Sequence, residues 1–260
     1  MAHPLRRRIA RTWSAAIYAV LLGVGIGASG LVPVAGAAIG MVLAAWAWAC
    51  KAPGGAAGLA VAPLGLAAGI PWPVPALAAV GLARILERAR GQDVRRVVVT
   101  RSRQSSLRLG FEIVGGAILC AATGAALATF YLNGERIVLE LEPPPLGVLA
   151  AAVLLLAVLN ATCEELLWRD HCVRVLLHDA RSIGGVVVVQ GISFGLAHPY
   201  GLPGGVLGVV GALGLGLTLG MLRFRRAGLV GSIVVHTVVD VAIFSVVGTQ
   251  VVWIGRVGQA

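Results

Sequence analysis

The chain has 260 residues, 58% of them hydrophobic and 12% charged, with a mean hydropathy of +0.91. A water-soluble domain of this length carries about twice that share of charge, so the composition excludes an ordinary soluble enzyme or binding module. The net charge of +10 sits in short loops between apolar runs, which points to membrane topology and not to nucleic acid.

A bilayer core takes about 20 apolar residues per helix. In chain order the apolar runs predict spans near 12–28, 31–50, 55–83, 110–131, 146–168, 183–199, 203–222 and 228–250. The expected fold class is therefore all-α: a polytopic transmembrane helix bundle of about eight membrane helices. Arg6, Arg7, Arg8 and Arg11 precede an apolar stretch in the manner of a secretory signal. Further spans follow at once, so the first run is expected to be an uncleaved helix. The run 55–83 contains PWPVP at 71–75, the expected tip of a hairpin whose arms are short for full spans.

Eight arginines crowd the stretch from Arg84 to Arg108. They predict a cytoplasmic loop that touches anionic headgroups, with docking of an acidic partner as the sharper alternative. Arg169, Arg174 and Arg181, and then Arg223, Arg225 and Arg226, flank later breaks. The bias places the N-terminus in the cytoplasm and the 132–145 loop outside. Two segments are expected: 1–109, the first membrane helices with their Arg-rich loop, and 110–260, a second helix bundle. Arginine almost replaces lysine, and Ala and Gly abound. That fits a GC-rich bacterial genome and a place in the bacterial inner (cytoplasmic) membrane. Cys50, Cys120, Cys163 and Cys172 show no CxxC spacing and read as small apolar side chains. In the seventh run Gly204/Gly208 and Gly216/Gly220 stand at small-xxx-small spacing, suited to close packing inside one bundle.

Ionisable residues inside apolar runs are costly and mark function by default. They fall in three groups. Glu164, Glu165 and Arg169 lie in ATCEELLWRDHC. On a helix Glu165 and Arg169 are four apart and share a face, so they are expected to pair. Glu164 is turned by about 100° towards the face of Asn160 and Trp168, and is the carboxylate expected to touch water. A carboxyl whose pKa is raised by burial suits general base and acid work. His198 lies on a stripe with Gln190 and Phe194, and Pro199 puts it at a helix end or kink. His236 and Asp240 are four apart in an apolar helix, where an aspartate can orient an imidazole. Taken singly, each group is also what a helix-end ion pair, a structural histidine or a helix-gluing polar pair would look like. Together they match the parts of water-mediated acyl hydrolysis, a base for water and donors for the oxyanion.

In that order the residues read Glu164-Glu165-Leu-Leu-Trp-Arg169, Phe194-Gly-Leu-Ala-His198 and His236-Thr-Val-Val-Asp240. This resembles the CPBP family of intramembrane glutamic endopeptidases, with its motifs EExxxR, FxxxH and HxxxN or HxxxD. That family includes Rce1-type CAAX prenyl proteases and bacteriocin self-immunity proteins. The resemblance covers residues 145–250 and makes 110–260 the catalytic bundle. It implies that Glu164 activates water, His198 positions it, His236 and residue 240 form the oxyanion pocket, and Glu165 and Arg169 support the site, beside Asn160 and Phe194. It implies neither metal nor cofactor, a membrane-anchored protein or peptide as substrate, and C-terminal processing or protein sorting as the task. Asp240 departs from the asparagine of prenyl proteases, and an ionised aspartate cannot donate to an oxyanion. Either Asp240 is protonated, or it orients a charged His236 that donates alone. Other readings are a zinc peptidase with Glu164, His198 and His236 as ligands, without an HExxH signature; a non-catalytic immunity or scaffold protein of the same fold; and a proton-coupled transporter, without an evident inverted repeat.

Overall fold

The computed structural model describes residues 4–30, 32–49, 60–89, 106–133, 136–139, 141–179, 182–225 and 228–253. The expectations placed on the arginines at 90–103, on Cys50, Arg181 and Arg226 lie outside those residues. The helices are α1 (Pro4–Ser29), α2 (Pro33–Ala49), α3 (Val61–Ala67), α4 (Val74–Ala89), α5 (Ser106–Leu132), α6 (Leu146–Glu164), α7 (Val173–Asp179), α8 (Ile183–Leu196), α9 (Gly205–Arg223) and α10 (Gly228–Thr249). Between α6 and α7 the chain runs through a π-helical segment, Glu165–Cys172.

Four helical stretches are long and apolar enough to cross a bilayer: Ile113–Leu132, Leu146–Leu177, Gly205–Arg223 and Gly228–Thr249. Ser14–Ser29, Pro33–Ala45 and Ile183–Leu196 are shorter apolar helices. Eight full spans are thus not found among the described residues. The clearest reason lies in the run expected at 55–83. Gly69 adopts φ +75°, a conformation that glycine takes at no steric cost. Prolines at 71, 73 and 75 lack the N–H that an unbroken helix needs. The result is a short α3, a turn through Trp72, and α4. A second departure from an all-α chain is a parallel pair of three-residue strands, β1 (Ile137–Leu139) and β2 (Val251–Trp253), with Ile137 opposite Val251.

Packing divides the chain into two units. One comprises residues 1–103 and 163–232, the other 104–162 and 233–260. In the first, α8 and α9 pack together, α1 lies against both α2 and α8, and α4 lies against the π-helical segment. Its core joins Tyr18, Leu22, Leu43, Leu167, Trp168, Val173, Val186 and Phe194. Glycines set the close approaches. A Cβ on Gly23 would collide with the carbonyl of Ser193, and one on Gly27 with the carbonyl of Leu196 and the ring of Pro199. On the other side of α8, a Cβ on Gly216 would lie 3.1 Å from the Cα of Gly191. Gly216 thus packs within one bundle, the use that small-xxx-small spacing suggests. Gly27→Val is expected to destabilise the protein by about 1–3 kcal/mol, as overpacking does. Thermal unfolding in detergent measures this; an unchanged midpoint would refute the contact.

The second unit contains α5, residues 146–162 of α6, residues 233–249 of α10 and the strand pair. Gly124 of α5 meets Ile243 and Val239 of α10. Phe111, Ile118, Leu119 and Phe130 of α5, and Leu154, Leu155 and Leu156 of α6, face outward. Apolar side chains turned outward along helices of this length are what a lipid surround requires. With the four apolar spans they make this an integral membrane protein.

Candidate active site

The site in the first unit is built where α6 changes character. Up to Glu164 the helix is regular; from Glu165 the turn widens. Wide π turns inside helices are uncommon and recur at functional sites. Glu165 and Arg169 are wholly buried, and Arg169 Nη1 lies 2.9 Å from Glu165 Oε1. Such proximity offsets part of the desolvation cost of both charges. The guanidinium also covers the ring of Phe194, 4.1 Å from its centroid, a favourable place for a cation. Arg223 fastens the same turn by donating from Nε to the carbonyl of Arg169 at 3.0 Å.

Glu164 points elsewhere. Its Oε2 lies 3.6 Å from His198 Nε2, with side-chain exposures of 9% for Glu164 and 22% for His198. The histidine is therefore the more open member of the pair. His198 follows the end of α8 at Leu196, where Pro199 prevents further helix. Helix C-termini leave carbonyls without intrahelical donors. Here Phe194 O accepts the N–H of the capping Ala197 at 3.2 Å and also lies 2.6 Å from His198 Nδ1. A carbonyl only accepts, so Nδ1 carries the proton and Nε2 is the nitrogen turned to Glu164. Phe194 thereby links the parts of the FxxxH motif: its carbonyl orients the imidazole and its ring covers Arg169. Trp168 completes the wall, edge-on to Phe194 with centroids 5.1 Å apart and donating to Ser193 Oγ at 3.2 Å.

The second unit holds the other polar group. His236 Nε2 lies 3.6 Å from Asp240 Oδ1, both residues being buried. Asn160 Nδ2 donates to Asp240 Oδ2 at 3.0 Å. Asn160, expected on the face of Glu164, thus has the aspartate as a partner. Among the described residues no group of three His, Cys, Asp or Glu side chains is arranged to hold a metal ion.

One cluster was not singled out by the sequence reading. Asp170, the residue after Arg169, receives Arg84 Nη2 at 2.6 Å and Arg174 Nη2 at 3.2 Å. Glu87 lies 3.6 Å from Arg174 and 3.7 Å from His171 Nδ1. Burial alone would push the Glu87 carboxyl up; His171 and the guanidiniums of Arg174 and Arg84 outweigh it and hold the group below the usual carboxylate range. The available signal was Asp170 and Arg174 at i,i+4. Their partners on α4 are more than eighty residues away, beyond any local pattern.

The fold and this carboxylate–imidazole pair define a polytopic helical membrane protein with a buried polar site at a helix irregularity. Residues 146–242 match the family model described as Type II CAAX prenyl endopeptidase Rce1-like. Over that segment the chain is similar to the Rce1-like family, the family that the three motifs resemble. No curated protein and no solved structure matches the chain.

Proposed function

We propose that the protein is an intramembrane endopeptidase that hydrolyses a peptide bond in a membrane-anchored protein, with Glu164 as the general base. The observation that carries this reading is the Glu164–His198 pair. Two polar atoms 3.6 Å apart can both reach one water at ordinary hydrogen-bond length, about 2.8 Å from each. Glu164 takes a proton from that water, and the oxygen attacks the scissile carbonyl carbon. The C–N bond then breaks, and the proton passes from Glu164 to the leaving amine. His198 Nε2 holds the water in line, because Nδ1 is committed to the Phe194 carbonyl. Glu165 and Arg169 keep the adjoining turn in place. The role of His236 and Asp240 is the oxyanion binding that the resemblance implies. The proposed setting is a bacterial inner membrane with the N-terminus in the cytoplasm. The direct test compares membrane-anchored proteins in cells carrying the wild type or Glu164→Gln. At least one should persist uncleaved in the variant; identical sets would refute the proposal.

Asp240 bears on the substrate. With Asn160 donating to one of its oxygens, the carboxylate is held as an acceptor, which suits orientation of His236 rather than donation. Asp240→Asn restores the residue of prenyl proteases and supplies an N–H donor. Turnover of the natural substrate is expected to stay within about tenfold, because the amide keeps an accepting oxygen towards His236 and adds a donor, whereas outright loss of an oxyanion donor costs about 10²–10³. A loss equal to that of Glu164→Gln would instead make the Asp240 carboxylate part of the proton chemistry.

A further inference from the structure

We propose that Arg84, through Asp170, is a positioning residue of the hydrolytic site, so that α4 holds the register of the helix that carries Glu164. This rests on the reading of Glu164 as the base. Glu164 is the last residue of regular helix and Glu165 the first of the π turn. A π turn has poorer intrinsic geometry than an α turn, so tertiary contacts must hold it. Two kinds do. Trp72, in the turn before α4, stacks near Trp168 with centroids 6.4 Å apart. Further along α4, Arg84 reaches Asp170 at 2.6 Å, and Glu87 approaches Arg174 and His171. The first contact is aromatic and adaptable; the second is ionic, and Asp170 is only 6% exposed. A charge-assisted contact of 2.6 Å is about twice as strong as a neutral one.

The consequence for Glu164 follows from what cannot move. Downstream, α7 is anchored by Val173, Val175 and Leu176 in the core. If the π segment relaxed to α geometry, the change of phase would be about 100° for one residue. It would have to be taken up on the upstream side, at Glu164. The carboxylate would then turn away from His198 while the bundle stayed intact. Arg174 lies one turn beyond Asp170 on the same run of helix, so it ties Asp170 only to its own chain; Arg84 belongs to another helix and ties it to α4.

Two cysteines report on the segment independently of catalysis. Cys163 and Cys172 bracket it and are buried, whereas Cys120 is partly exposed and lies in the other unit. Purified wild type, Arg84→Gln, Asp170→Asn and the exchange Arg84→Asp/Asp170→Arg are labelled with N-ethylmaleimide and mapped by mass spectrometry. Each single variant should label Cys163 or Cys172 at least tenfold faster with Cys120 unchanged, and the exchange should bring the rate back to within about threefold of wild type. The membrane protein found uncleaved in Glu164→Gln cells serves as substrate for a second reading. Its kcat should fall at least tenfold in Arg84→Gln with KM unchanged, and Arg84→Lys should recover most of it. Unchanged labelling, or Cys120 rising in step with the others, overturns the proposal. So does a KM effect without a kcat effect. If Glu164→Gln leaves cleavage intact, the hydrolytic reading fails by itself, while the labelling still decides whether Arg84 holds the segment.

Discussion

Glu164→Gln is expected to lower peptide-bond cleavage by about two to four orders of magnitude, the range that a positioned general base contributes. The substitution keeps size and hydrogen-bonding capacity but cannot take a proton from water. Because Glu164 is buried beside His198, the neutral amide is no burden on folding, and the variant should accumulate and melt like the wild type. His198→Ala should cost nearly as much, since it removes the imidazole whose Nδ1 is held by Phe194 O and whose Nε2 faces the carboxylate. The double variant should be little worse than either single one, because residues that act on one water fail together. The measurement is turnover of a membrane-anchored substrate in vesicles, beside the melting point of each variant. Full activity in either single variant would remove the Glu164–His198 pair from the mechanism. A loss that tracks a lowered melting point would make the pair structural.

Much of the site's local geometry could be read from the chain because it depends on short spacings. Glu165 and Arg169 at i,i+4 meet in the structure, and Pro199 does end α8 before His198. The splitting of the adjacent glutamates also follows from helical phase, for neighbours on a helix cannot point the same way. The π turn was not legible. No residue pattern in ELLWRDHC demands it, and it is held by Arg84 and Glu87, far off in sequence. The contribution of α1 was equally hidden. Gly23 and Gly27 are two among thirty-six glycines, and only the packed structure shows them against the carbonyls of Ser193 and Leu196. Hydropathy was a poorer guide to the number of spans. It records that a run tolerates lipid, not that its helix is unbroken, and around PWPVP prolines and a left-handed glycine break it.

Arg169→Met is expected to destabilise the protein by about 3–5 kcal/mol, the cost of removing one member of a buried ion pair. Glu165 is fully buried, so the lost cation at 2.9 Å is replaced neither by water nor by bulk dielectric. The cation also rests on the Phe194 ring, whose carbonyl orients His198, so activity should fall with stability. A second substitution separates the two effects. In Glu165→Leu/Arg169→Met both charges leave, the space stays filled, and most of the lost stability should return, because apolar replacements of buried pairs are often neutral. Activity should not return in proportion if the ion pair fixes the turn next to Glu164 in one geometry. Unfolding in detergent and turnover of the same preparations give the two numbers. If Arg169→Met lies within about 1 kcal/mol of wild type, the range of an exposed pair, the charges are hydrated and the buried anchor is wrong. If the double variant recovers both stability and activity, the pair only fills space, and the orientation of Glu164 rests on the contacts of Asp170 instead.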